Sequence, residues 1–138
     1  MREFNVERSI AAPPERVWKI LTDARTLGSG SFGITRIEGE IVKGGQLKLW
    51  SSAAPGRAFT LTVAEMVPNR LMVWKGGMPL GLFTGTRTFT LTSRGGGTKF
   101  QMREVYEGLM TGLIWKSMPD LGRSFAQFAT ALASRAEV

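Results

Sequence analysis

Residues 89–108 read FTLTSRGGGTKFQMREVYEG: two alternating runs on either side of three glycines. That is the pattern of a β-hairpin whose turn needs positive φ. The alternation extends upstream to residue 82. Phe83, Arg87, Phe89 and Leu91 share one face, and Thr84, Thr86, Thr88, Thr90 and Thr92 share the other. A four-residue turn at Arg94–Gly97 pairs Ser93 with Thr98, Leu91 with Phe100, Phe89 with Met102, Arg87 with Glu104 and Gly85 with Tyr106. All but the first pair lie on the aromatic face, which is the inward one because the opposite face is threonine. Arg87, Glu104 and Tyr106 therefore meet on a largely apolar wall, provided the register does not slip by a residue.

Working outward, FNVERSI (4–10) alternates as a strand, and Pro13 and Pro14 open a helix carrying Val17, Ile20, Leu21 and Ala24 on one face. ITRIEGEI (34–41) is a second strand, and KGGQLKLW (43–50) is a turn feeding a third. AFTLTVAEMV (58–67) is a fourth strand with Phe59, Leu61 and Val63 on one face, and RLMVWKG (70–76) is a fifth. A two-residue turn at Pro68–Asn69 puts Met72 and Trp74 on the same inner face, with Glu65 there also, near a strand end and reaching water. The C-terminal part changes period. Ser117 and Asp120 are spaced as a capping-box variant around Pro119, and Leu121, Phe125, Phe128, Ala129 and Leu132 form one stripe of a helix of about four turns. The expected fold is α+β in a single domain over 1–138. It is a curved antiparallel sheet of six to seven strands wrapped around a long C-terminal helix.

Between hairpin and helix, GLMTGLIWK (108–116) is unusually apolar for a connection. Leu109, Met110, Leu113, Ile114 and Trp115 suit a lid over a cavity, an extra helical turn completing the core, or a dimer contact, and the residues alone leave these three open.

Composition removes whole classes of chemistry. The chain has no cysteine and no histidine, so thiol nucleophiles, disulfides, zinc ribbons and serine–histidine hydrolase sites are excluded. The eleven acids are scattered without a calcium loop, so no metal and no cofactor is expected. The net charge of +7 comes from eighteen basic residues spread between Arg2 and Arg135, which reads as a solvated basic surface and not as a specific nucleic-acid site. The N-terminus MREFNVERS lacks the apolar segment of a signal peptide, and no apolar run has the length of a membrane span. A cytoplasmic protein without integral membrane association is expected.

GSGSFG (28–33) matches the letters of a dinucleotide-binding loop, G-x-G-x-x-G. The motif has physical content only where it leads from a strand into a helix, so that helix N–H groups meet the phosphates. Here it leaves a helix and enters a strand. It is a flexible connection and not a nucleotide site.

The N-terminal run VERSIAAPPERVWKILTD, the hairpin quoted above and PDLGRSFAQFATAL near the end together resemble the START-like, helix-grip (SRPBCC) superfamily of polyketide cyclases, dehydrases and lipid-transport-like proteins. The resemblance covers nearly the whole chain, and its motifs specify fold better than ligand. It implies an apolar cavity between sheet and C-terminal helix, holding a lipid, polyketide or isoprenoid-like molecule. The sequence departs from the pattern where relatives carry a second short helix with Trp and Pro, since LGSGSFG stands there. The W-P-x-G-H segment of the branch that activates the ninety-kilodalton heat-shock chaperone and the Y-P-x-F segment of the quinone-binding branch are both absent.

The expected function is binding of a small hydrophobic molecule. Phe59, Leu61, Val63, Met72, Trp74, Phe89 and Met102 would form the wall, Leu113, Leu121 and Phe125 the cover, and Arg87, Glu104 and Tyr106 the polar contacts. Covering about 300 Å² of apolar ligand contributes roughly 7 kcal/mol before ordering costs. An enzyme is the alternative: a cyclase, dehydratase or isomerase with Glu104 as base and Arg87 or Tyr106 steadying an enolate. A protein-interaction module with a filled core and an exposed apolar patch is a further alternative, and a homodimer is compatible with each. Arg87 and Glu104 also suit a purely structural cross-strand pair at a partly wet sheet end.

Overall fold

The computed structural model describes residues 2–52, 54–116 and 121–138. Seven strands, β1 (Arg2–Ile10), β2 (Ile34–Glu38), β3 (Gln46–Ser51), β4 (Ala58–Val67), β5 (Leu71–Met78), β6 (Phe83–Arg94) and β7 (Gly97–Glu107), form one antiparallel sheet in the order β1-β7-β6-β5-β4-β3-β2. Helices α1 (Pro14–Leu21) and α2 (Ala24–Leu27) connect β1 to β2, the short α3 (Thr111–Trp115) follows β7, and α4 (Gly122–Ala136) closes the chain. The sheet curls into a half-barrel with α4 in its concave side, the helix-grip arrangement expected.

The β6–β7 register is the one the alternation predicts, from Ser93↔Thr98 through Arg87↔Glu104 to Gly85↔Tyr106. The turn is tighter than expected. Arg94 pairs with Gly97, leaving only Gly95 (φ 56°) and Gly96 (φ 84°) as loop, both in the left-handed region that matches the twist of a hairpin. The pairing is unaffected, because both turns share one centre.

The β4–β5 turn differs more. Val67 pairs with Leu71 around Asn69, whose φ is 66°, so three residues make the turn and not two. A bulge between Val63 and Glu65 then absorbs the extra residue and restores Val63 opposite Trp74. Below the bulge Met66, not Glu65, stands opposite Met72. Glu65 instead meets Lys43, Nζ to Oε1 at 3.3 Å, in a half-exposed pair.

Ala24 also departs from expectation, since it opens α2 and does not continue α1. Asp23 interrupts the helix by capping the next one, accepting from the Arg25 N–H at 3.1 Å and from the Thr26 hydroxyl at 2.9 Å. The expected cap at Ser117–Asp120 lies outside the described residues. α4 itself buries Phe125, Phe128, Ala129 and Leu132 on one stripe as predicted.

The two ends of the half-barrel are held differently. At the end with the β6–β7 turn, the Thr98 hydroxyl donates to the Ala12 carbonyl at 2.7 Å, Arg16 donates to the Ala136 carbonyl, and Glu137 accepts from the Ala11 N–H at 2.9 Å. These bonds lock α1, the end of α4 and the sheet together into a closed end. The other end carries the start of β6, the end of β7, α3 and the beginning of α4, and is called the rim below.

Candidate functional site

At the rim the cross-strand pair Arg87–Glu104 is fork to fork. Arg87 Nε donates to Glu104 Oε1 at 3.2 Å and the terminal nitrogen to Oε2 at 3.1 Å. The Tyr106 hydroxyl, on the same face two residues along β7, donates to Oε2 as well. The guanidinium lies 4.9 Å from the centre of the Phe125 ring, so α4 contributes a cation–π contact. The side chains of Arg87 and Glu104 are only 19% and 13% exposed, which removes most of the water that would otherwise screen them. Burial pushes the Tyr106 phenol well above its ordinary range; the Glu104 charge and the hydrogen bond to it push the same way, and Arg87 opposes them in part. The phenol therefore stays protonated.

Aromatic rings enclose the trio. Phe83 stacks on Tyr106 at 5.7 Å and 14°, Phe4 meets it edge-on at 6.3 Å, and Trp115 lies 5.9 Å away. Trp115 also stacks on Phe4 at 5.2 Å. Gly85 makes room for this packing, since a Cβ there would stand 3.3 Å from Tyr106 Cε1. Phe4 sits here because β1 pairs with β7 in the register Phe4↔Glu104. The expectations named Trp115 and put Phe83 on the inward face but gave no role to Phe4; the missing signal was the β1–β7 pairing, which a single hairpin cannot reveal.

The segment 108–116 covers the trio from above. Gly108 has φ 119°, and a Cβ on it would clash with the carbonyls of Leu82 (2.5 Å) and Gly81 (2.7 Å). The Met110 N–H donates to the Leu82 carbonyl at 2.8 Å, so the two rim loops are bonded to each other. Beyond this, α3 rests on the Trp115 stack, while Leu109 and Leu113 face solvent at 92% and 67% exposure.

The other expected wall residues divide into two groups. Val63, Met72, Trp74, Phe89, Met102 and Phe125 are buried, none more than 2% exposed. They fill the middle of the space between sheet and α4, where Trp74 meets Phe89 at 4.8 Å and Phe128 meets both Phe89 and Phe100. These expected wall residues are all part of the buried core. Leu61 and Leu121 are partly buried against it, whereas Phe59 is 37% exposed beside Arg57. One polar atom in this core is left over: the Trp74 indole N–H is buried without an acceptor among the described residues, one strand across from Arg87. Surface hollows lie elsewhere, one on the outer sheet face around Lys75, Thr88 and Arg103 and one along the outer side of α4 near Arg16 and Val138. Among the described residues no group of three or more acidic side chains is arranged to hold a metal ion, and no helix is long and apolar enough to cross a membrane.

Compared with known proteins, residues 1–137 match the family described as polyketide cyclase / dehydrase and lipid transport. No curated protein matches the chain. Among solved structures, the Aha1 dimer from Colwellia psychrerythraea superposes with a TM-score of 0.76 at 21% identity, covering 100% of this chain and 98% of that one. Protein MLL2253 from Mesorhizobium loti gives 0.75 at 19% identity, with 97% and 96% covered. DynU16, a putative protein of the dynemicin biosynthetic locus, gives 0.71 at 20% identity, covering 96% of this chain and 46% of its own. At these identities the structural likeness speaks for the fold.

Proposed function

The chain belongs to the polyketide cyclase/dehydrase and lipid transport family, and we propose that it holds an amphipathic, polyketide- or lipid-like molecule at the rim. In this reading its polar end lies against Arg87, Glu104 and Tyr106, with its apolar body under α3. The observation that carries the reading is the three-way hydrogen-bonded group of Arg87, Glu104 and Tyr106 inside an aromatic enclosure. For stability alone, apolar side chains of similar volume would serve as well or better.

The donor set indicates what the ligand's polar end must be. Glu104 takes only part of the guanidinium's hydrogen-bonding capacity, and among the described residues the Trp74 N–H, one strand away, has no acceptor. Both are donors, so they select an acceptor: a carbonyl, an enolate or a carboxylate. Because the deep core is filled, entry goes through the rim and requires α3 to lift. A helix of five residues has no stability of its own, and α3 stays down through Trp115 and the loop contacts. The enzymatic alternative has less support, since Glu104 as a base would first have to give up its bonds to Arg87 and Tyr106.

The interaction-module reading is favoured by one observation: a filled core beneath exposed leucines. Native mass spectrometry of protein purified from its own cells separates the two. The ligand reading expects a co-purifying small molecule in wild type and its loss in Arg87→Met/Glu104→Leu, with circular dichroism unchanged. A bare wild-type protein, or equal loading of the double variant, contradicts it.

A further inference from the structure

The rim carries apolar side chains that stand exposed among the described residues. Leu80 is 94% exposed and Leu109 92%, on the two loops that the Met110–Leu82 bond and the close approach at Gly108 hold together. Leu113 follows within the next turn, and Met78 (41%) and Phe59 (37%) extend the patch along the strand ends. Leu80 also sits at φ 62°, ψ 24°, a left-handed conformation that a leucine Cβ disfavours and a glycine would adopt freely. Neither burial nor backbone preference explains leucine at that tip. Side chains so placed are available to a surface outside the chain.

Charge indicates what that is. Arg2 stands over Trp115 at 5.2 Å, Arg57 over Phe59 at 5.7 Å, Lys116 follows α3, and Arg123 lies in the first turn of α4, two residues before Phe125. Arg2, Arg57, Lys116 and Arg123 are all exposed. They put four positive charges on the elements that form the rim, set against Glu107 at the end of β7, on a chain of net charge +7. Apolar tips flanked by cations are the physical requirements for seating on an anionic bilayer: the leucines enter the acyl boundary while the cations remain at the headgroups. We propose that the rim docks on anionic lipid membranes through Leu80, Leu109 and Leu113. The proposal does not depend on a ligand beneath α3, and its assay contains none.

Co-sedimentation with phosphatidylcholine/phosphatidylserine vesicles, and with phosphatidylcholine vesicles alone, tests it. Wild type is expected to bind the mixed vesicles and to be released by raised salt. The variant Leu80→Ser/Leu109→Ser/Leu113→Ser is expected to bind at least about tenfold more weakly, from the lost burial of three side chains. Reversing charge with Lys116→Glu/Arg123→Glu should abolish the preference for phosphatidylserine. No binding of wild type at low salt, or undiminished binding by the serine variant, overturns the proposal. So does self-association that the serine variant abolishes without any vesicle binding, because the patch would then belong to a second copy of the chain.

Discussion

Strands β6 and β7 run the length of the half-barrel, and their two ends differ in kind although the same backbone ladder builds both. Toward the closed end the inward pairs are Phe89 with Met102 and Leu91 with Phe100, all buried, and the rings of Phe89 and Phe100 pack against Phe128. Toward the rim the inward pairs are Arg87 with Glu104, an ion pair where apolar side chains could stand, and Gly85 with Tyr106, a glycine that leaves room for the phenol ring. The closed end is fixed by hydrogen bonds between α1, α4 and the sheet, the rim by ring stacking and a five-residue helix. The contrast shows that the concave face is graded: one half maximises packing, and the other keeps polar groups that packing alone would not select.

Substitutions on the two sides test that gradient. Phe89→Ala should cost about 3–5 kcal/mol in urea unfolding, the range for a large aromatic removed from a filled core. A much smaller value would mean that the core is looser than its packing indicates. Arg87→Met alone should cost about 2–3 kcal/mol by leaving Glu104 without its partner, and adding Glu104→Leu should recover most of that loss. If the double variant is as unstable as the single, the pair is structural and the gradient disappears.

Tyr106 gives a smaller, spectroscopic test, because it is the only tyrosine in the chain. Its phenol is pushed up by burial and by Glu104. Tyrosinate absorbance should therefore stay absent as pH passes the ordinary tyrosine value of about 10, and should develop only with unfolding. The sign for stability follows. The contribution is complete below about pH 10 and is lost at higher pH, where only the unfolded chain releases the proton easily. Tyr106→Phe should flatten that alkaline dependence and cost about 1 kcal/mol at neutral pH. The smallest effect belongs to the exposed leucines. Serine at Leu80, Leu109 and Leu113 should change stability by no more than about 0.5 kcal/mol, since all three are largely exposed.

The hairpin was legible from sequence because its signal is local: period-two alternation around glycines sets a register, and the register alone brings Arg87 to Glu104 and Tyr106. The β4–β5 turn was not, because a three-residue loop and a compensating bulge cancel, and no residue in AFTLTVAEMV marks the bulge. The filled core also escaped. Alternation says which side chains point inward but not how deeply they are covered, and Trp74, Phe89, Met102 and Phe125 are all no more than 2% exposed. Likewise the apolar character of GLMTGLIWK was visible, while its seat above Tyr106 depends on Phe4, which arrives from the opposite end of the sequence.

Native-state hydrogen exchange resolved by residue puts the graded sheet to its most direct test. The amides of residues 109–116 should exchange at least about a hundredfold faster than those of Phe89 and Phe100, through local opening of the rim with the closed end intact. Equal protection at both ends, with α3 exchanging only through global unfolding, would mean that the rim does not open and that Arg87, Glu104 and Tyr106 are out of reach of any ligand.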